Sequence, residues 1–150
     1  MRKERPMTGN VHIRPMKPED YDGALALWVA CGGMGLRSVE DSRGGMETFL
    51  RRNPETCFVA EADASVVGTV LAGNDGRRGY LYHVAVGADY RYRGVGTELV
   101  ERAIRGLRRA GIRKAALVVY ADNLDGNKFW EHLGFTVRED IVYRNRELIS

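Results

Sequence analysis

Apolar residues along this chain follow two rhythms, short alternating or continuous runs and longer segments in which they recur every three or four positions. Val11 to Pro15 alternates and predicts a short strand. Pro18, Glu19 and Asp20 mark a helix start, since proline suits the first turn and acids there meet the positive end of the helix dipole. Tyr21, Ala24, Leu25 and Trp28 give that helix one buried face as far as about Cys31, and Gly32-Gly33 stops it. Residues 33–45 read as a connection with a short helical start inside it. Met46 to Arg52 predicts a second helix, ended before Pro54 because the residue ahead of proline avoids helical geometry.

Cys57 to Glu61 and Val66 to Ala72 are β-prone runs joined at Asp63-Ala64-Ser65, the pattern of an antiparallel hairpin. After a turn at Gly73 to Gly76, Tyr80 to Val86 predicts a central strand buried on both faces. Val95, Leu99, Val100, Ala103, Ile104 and Leu107 recur at helical spacing through Ala110, and Gly111 supplies a left-handed stop. Ala115 to Tyr120 reads as another strand. Asp122-Asn123 caps a last helix from Leu124 to Leu133, closed by Gly134. Phe135 to Val137 and Ile141 to Leu148 would complete the sheet. The expected fold class is α/β, a mixed central sheet of about six or seven strands flanked by about four helices.

At 150 residues the chain fits one domain with its own core, here expected over residues 11–150 behind a flexible segment at residues 1–10. Cys31 and Cys57 are too few for a disulfide framework, and no Cys/His cluster has zinc spacing, so no metal is expected. No apolar run follows the basic opening, so neither a signal peptide nor a membrane span is expected, and the cytoplasm is the expected location. Lys and Arg number 23 against 20 Asp and Glu, a net charge of +3 that falls short of a dedicated nucleic-acid binder. Arg102, Arg105, Arg108 and Arg109 lie on one helix, but Glu98 to Arg102 and Glu101 to Arg105 are spaced as ion pairs on a solvated face.

Chemistry concentrates between Tyr80 and Thr97, where a strand passes through Gly87-Ala88-Asp89-Tyr90 and Arg91-Tyr92-Arg93-Gly94-Val95-Gly96 into the amphipathic helix. Backbone N–H groups from Tyr92 to Thr97 lack intrahelical acceptors, and the helix dipole adds positive potential, so a pyrophosphate fits there. Gly94 and Gly96 let its oxygens approach the backbone, and Arg91 and Arg93 can add charge-assisted bonds. A dinucleotide fold would need a third glycine where Leu99 stands, and a nucleoside triphosphatase would need lysine between Gly96 and Thr97.

The spacing Arg91, Gly94, Gly96 resembles the signature of the GNAT N-acetyltransferase superfamily. The resemblance extends to Leu81 to Val86, to Arg109-Ala110-Gly111, and to Asn123 ahead of Phe129-Trp130-Glu131-His132-Leu133-Gly134-Phe135. The run Val66 to Val70 through Asp75 to Gly79 is similar to a bacterial subgroup of uncharacterised GNAT proteins and brings no substrate with it. The resemblance implies an acyl-CoA-dependent N-acetyltransferase, with acetyl-CoA as donor and an amine as acceptor. Its pyrophosphate would lie on Arg91, Tyr92, Arg93, Gly94, Val95, Gly96 and Thr97, and its pantetheine arm along Val84, Ala85 and Val86. Asn123 would bond the same arm, and Trp130 would stand beside the thioester sulfur. The strands at Tyr80 to Val86 and Ala115 to Tyr120 would splay to admit the thioester, and an N–H near Val86 would polarise the acetyl carbonyl. A homodimer through edge strands would also fit the family.

His83 is the candidate general base, since direct transfer needs a neutral amine, and a hydrogen-bonded core histidine is its other reading. Tyr80 and Tyr82 could order a proton-carrying water. Many family members carry a tyrosine as thiolate acid where this chain has Trp130, whose indole cannot ionise near neutral pH. Tyr120 or Tyr143 then substitutes, or the thiolate takes a solvent proton, or the protein is a non-catalytic acyl-CoA binding or sensing module. Trp28 and Met34 read as core residues or as part of an acceptor pocket. Cys57 reads as a small hydrophobe, and Glu40 and Asp41 suit a cationic amine.

Overall fold

The structure is a computed structural model that describes residues 10–34, 36 and 38–149. The chain is mixed α/β, and its described residues form a five-stranded sheet in the order β1-β2-β3-β4-β5 and four α-helices. It divides into two compact units, Met1–Leu117 and Val118–Ser150. The segment expected to be flexible lies outside the described residues apart from Asn10.

In the first unit β1 (His12–Pro15) pairs antiparallel with β2 (Phe58–Ala62), β2 with β3 (Ser65–Asn74), and β3 with β4 (Gly79–Val86). The β2–β3 link is a two-residue turn, Asp63 and Ala64, both at positive φ as a type I′ hairpin requires. Arg14 ties β1 to β2 and to the 3-10 turn Pro18–Asp20 through Asp20 and Glu61, each at 2.7 Å. Helices α1 (Tyr21–Cys31) and α2 (Arg43–Arg52) cover one sheet face. Trp28, Leu27, Met46 and Leu50 pack there with Val59, Leu71 and Ala85. Trp28 and Met34 therefore belong to that core and its margin.

Helix α3 (Val95–Arg109) covers the other face through Val95, Leu99, Val100, Ala103 and Leu107. It sits so close that a Cβ on Gly106 would come within 2.6 Å of the Glu55 carbonyl oxygen. Its outer face carries the expected Arg102–Glu98 pair at 3.2 Å, whereas Arg105 reaches Glu98, at 3.1 Å, in place of Glu101.

Three expectations about strands need correction. Tyr80–Val86 is not buried on both faces, because Tyr82 is 46% exposed on the α1/α2 side. The strand expected from Ala115 to Tyr120 is only β5 (Ala115–Ala116), parallel to β4 through Gly79↔Ala115 and Tyr80↔Ala116. A register shift in the β3–β4 ladder lies just beyond these pairs, and such a bulge bends and twists the strand that carries it. Finally, Phe135 to Val137 and Ile141 to Leu148 form no strand among the described residues, so the sheet has five strands instead of six or seven. Alternation supplies faces but not a ladder, and among the described residues no strand pairs with these segments. Their Val137, Ile141, Val142, Tyr143 and Leu148 side chains are exposed.

In the second unit Asn123 caps α4 (Leu124–His132) by accepting from the Gly126 N–H at 2.9 Å. Gly134 at φ 88° ends it, and Phe135 N–H returns to the Trp130 carbonyl at 2.9 Å. Trp130 packs edge-on against Phe129 and Phe135, with ring centroids 4.9 and 5.2 Å away.

Candidate active site

The loop from β4 to α3 starts with a 3-10 turn, Ala88–Tyr90, whose last N–H returns to the Gly87 carbonyl at 2.9 Å. Arg91 is extended, Tyr92 turns to φ 62°, and Gly94 caps the helix at φ 81°. Only glycine takes that left-handed conformation without cost, so Gly94 serves the turn as well as ligand approach. The first helical bond runs from Glu98 N–H to the Gly94 carbonyl at 3.0 Å, and no side chain caps the start. The N–H groups of Val95, Gly96 and Thr97 therefore remain free of helical acceptors, and a 15-residue helix stands behind them. Arg93 lies over the Tyr90 ring, 5.5 Å from its centroid.

The end of β4 meets this loop. Gly87 N–H bonds the Val67 carbonyl at 2.8 Å, while Gly68 faces Val86 and Thr69 faces Ala85. Bonded and non-bonded pairs alternate in an antiparallel ladder, so Val86 turns its N–H and C=O away from β3. Among the described residues the β5 ladder ends at Tyr80, which leaves that edge open. The Val86 carbonyl accepts from Arg91 Nε at 3.1 Å and from the Cys31 thiol at 3.7 Å. Its N–H is what the edge offers a ligand. Arg91 thus lies across the end of β4, with a terminal nitrogen 3.9 Å from Cys31 Sγ.

His83 owes its position to the bulge. Between the pairs Thr69↔Ala85 and Leu71↔Tyr82, β3 advances two residues while β4 advances three. The extra residue lets His83, at φ 47°, turn toward the side that Tyr82 also faces. Its ring lies 4.7 Å from that of Trp28, and its Nε2 lies 2.6 Å from Asp41 Oδ1. Trp28 Nε1 donates to Thr69 Oγ1 at 2.8 Å, and the Thr69 hydroxyl donates to the His83 carbonyl at 2.7 Å. Trp28 and Thr69 are fully buried. The Tyr80 and Tyr82 rings are tilted against each other with centroids 4.6 Å apart, and Phe49 meets Tyr82 edge-on at 5.8 Å.

The structure thus brings together Val84, Ala85, Val86 and residues 91–97 at one end of β4, with His83 just behind. Tyr120, Asn123 and Trp130 belong to the second unit. Tyr120 is exposed, and its carbonyl accepts from Asn127 Nδ2 at 3.0 Å. Asn123 uses its side-chain oxygen as the helix cap, and Trp130 sits in the aromatic cluster. Sequence reasoning missed Asp41 as the partner of His83 and Thr69 as the anchor of the bulge. Asp41 stands 42 positions from His83, and no local pattern links them. Cys57 is buried just ahead of β2, which pushes its thiol pKa up to about 11, in keeping with a small hydrophobe and not with a nucleophile.

A β4 strand with an open edge, leading through a left-handed glycine into a long helix, defines an α/β domain that can hold an extended, phosphate-ended ligand. The model of the acetyltransferase (GNAT) family matches residues 24–135. An acetyltransferase of Sodalis glossinidius (strain morsitans) is 31% identical over 140 residues, covering 93% of this chain and 97% of that protein. Among solved structures, the PaiA N-acetyltransferase from Thermoplasma acidophilum in complex with coenzyme A superposes with a TM-score of 0.75 at 18% identity, covering 87% of this chain and 92% of that one. AAC(6')-Iy, in complex with the bisubstrate analogue CoA-S-monomethyl-acetylneamine, gives 0.71 at 21% identity over 91% and 98%. The chain belongs to the GNAT family of acetyltransferases. It is an acyl-CoA-dependent N-acetyltransferase by that membership, and no helix among its described residues is long and apolar enough to cross a membrane.

Proposed function

We propose that the protein moves the acetyl group of acetyl-CoA to a primary amine by direct attack in a ternary complex. The observation that carries this reading is the junction of the open Val86 edge with the uncapped start of α3. The free N–H groups at Val95, Gly96 and Thr97 suit the pyrophosphate, with Arg93 adding positive charge, and the backbone at Val84 to Val86 suits the pantetheine arm. Val86 N–H would then face the acetyl carbonyl, where negative charge develops as the amine attacks.

His83 takes one proton from the substrate ammonium. The neutral amine forms a bond to the acetyl carbon, the C–S bond breaks, and the sulfur leaves as CoA thiolate. The amide nitrogen sheds its second proton as solvent protonates the thiolate, so the net products are amide, CoA thiol and one proton. Trp130 supplies no acid, since an indole N–H donates a hydrogen bond without ionising.

The test is calorimetric titration with acetyl-CoA and CoA, using wild type and folded Gly94→Trp and Gly96→Trp variants, followed by a thiol-release screen of amines. Saturable binding that both variants lose supports the pyrophosphate assignment, and no binding by folded wild type refutes it. Trp130 in place of a phenol favours one other reading, a non-catalytic acyl-CoA sensor, for which binding would persist while thiol release stayed at background across the amines.

A further inference from the structure

We propose that Asp41 is a positioning residue for His83, a role that rests on the reading of His83 as general base. Its carboxylate holds the imidazole with the proton on Nε2 and leaves Nδ1 as the proton acceptor. Asp41 lies in the 3-10 turn Val39–Asp41, which leads into α2, and both side chains are only 14% exposed. A carboxylate accepts and does not donate, so the 2.6 Å contact fixes the tautomer.

Asp41 is itself held on every side. Its second oxygen accepts from the Ser38 hydroxyl at 2.9 Å, its N–H bonds the Ser38 carbonyl at 3.1 Å, and its carbonyl accepts from the Tyr21 hydroxyl at 2.7 Å. On the other side, Thr69 anchors the His83 backbone and Trp28 lies against the ring. Among the described residues Nδ1 has no hydrogen-bond partner. Among those residues no buried side-chain nitrogen lacks one, so Nδ1 reaches solvent-accessible space. A histidine serving only the core would have both nitrogens satisfied inside the protein. Here one nitrogen is clamped and the other is open, the arrangement a base needs. When Nδ1 takes the ammonium proton, the imidazolium stays paired with Asp41 until it returns that proton to solvent.

The test pairs a spectroscopic measurement with turnover. Ring ¹⁵N–¹H correlations, recorded with the imidazole neutral and assigned by loss of the signal in His83→Gln, should show a slowly exchanging Nε2–H in wild type. Asp41→Asn and Asp41→Ala should abolish that slow exchange, while acetyl-CoA affinity stays within about twofold. With lysinamide as the probe amine, which offers both an α- and an ε-amino group, kcat should fall at least about tenfold in Asp41→Asn without a matching rise in the KM for acetyl-CoA. An Nδ1–H tautomer in wild type, or an Nε2–H signal unchanged in both Asp41 variants, overturns the proposal whether or not lysinamide turns over. Full kcat in His83→Gln would instead sink the base assignment and leave the pairing to the spectra.

Discussion

Replacing Thr69 with valine keeps the shape of a fully buried residue and removes one hydroxyl that serves two partners. That hydroxyl accepts from Trp28 Nε1 at 2.8 Å and donates to the His83 carbonyl at 2.7 Å. In Thr69→Val the indole N–H is left buried without an acceptor, at a cost of roughly 1–3 kcal/mol, and the carbonyl loses its donor at about 1 kcal/mol. The added methyl returns about 0.8 kcal/mol of burial. The net expectation is a loss of about 1.5–3 kcal/mol. Thr69→Ser keeps both bonds and gives up one buried methyl, at roughly 0.5–1.5 kcal/mol. Urea unfolding of the three proteins should therefore rank wild type above Thr69→Ser and Thr69→Val last. Because the same hydroxyl pins the bulge, Thr69→Val should also loosen the His83 ring, visible as faster exchange of its Nε2–H. A valine variant within about 0.5 kcal/mol of wild type, or more stable than the serine variant, refutes the reasoning.

Other parts of the structure give further expectations. Gly94→Ala should cost about 1–2 kcal/mol from its left-handed φ alone, since a Cβ there meets nothing within 4 Å, and calorimetry should show weaker acetyl-CoA binding. Native protein treated with iodoacetamide at pH 8 should be alkylated at partly exposed Cys31 and not at Cys57, whose thiol burial pushes up to about 11; mass mapping reads the difference. Burial raises the Asp20 carboxyl, but the Arg14 guanidinium and the Lys17 N–H outweigh it and hold the group below its ordinary value of 3.8. A carboxylate lowered on folding stabilises above its unfolded pKa and loses that stabilisation as pH falls through the folded one. Asp20→Asn should thus be less stable than wild type at pH 7, with the gap in urea midpoint closing below pH 3.8. A gap independent of pH would refute the pairing.

How the site came to be legible differs residue by residue. The turn at Arg91 to Thr97 could be read in one stretch because each contribution is local: glycine takes φ 81°, the next residues start a helix, and the free N–H groups follow from the helix having begun. The amphipathic spacing of α3 predicted its buried face, and Gly111 and Gly134 marked helix ends that the structure bears out at φ 83° and 88°. Strand prediction was weaker. Ala115 to Tyr120 and Ile141 to Leu148 have suitable side chains, yet a strand exists only where another backbone completes its ladder, and that depends on residues far away in sequence.

The sequence by itself determined the helices, the hairpin and the glycine turn, since each rests on periodicity or backbone preference within about fifteen residues, and its motif resemblance pointed to the class of the protein. Only the tertiary structure decided where the His83 ring sits and what it touches. One extra residue in β4 turns its side chain toward α1, the Thr69 hydroxyl fixes its backbone carbonyl, and a carboxylate 42 positions earlier clamps its ring. A single bulge changes which face every later side chain points to, and no spacing along the chain records it.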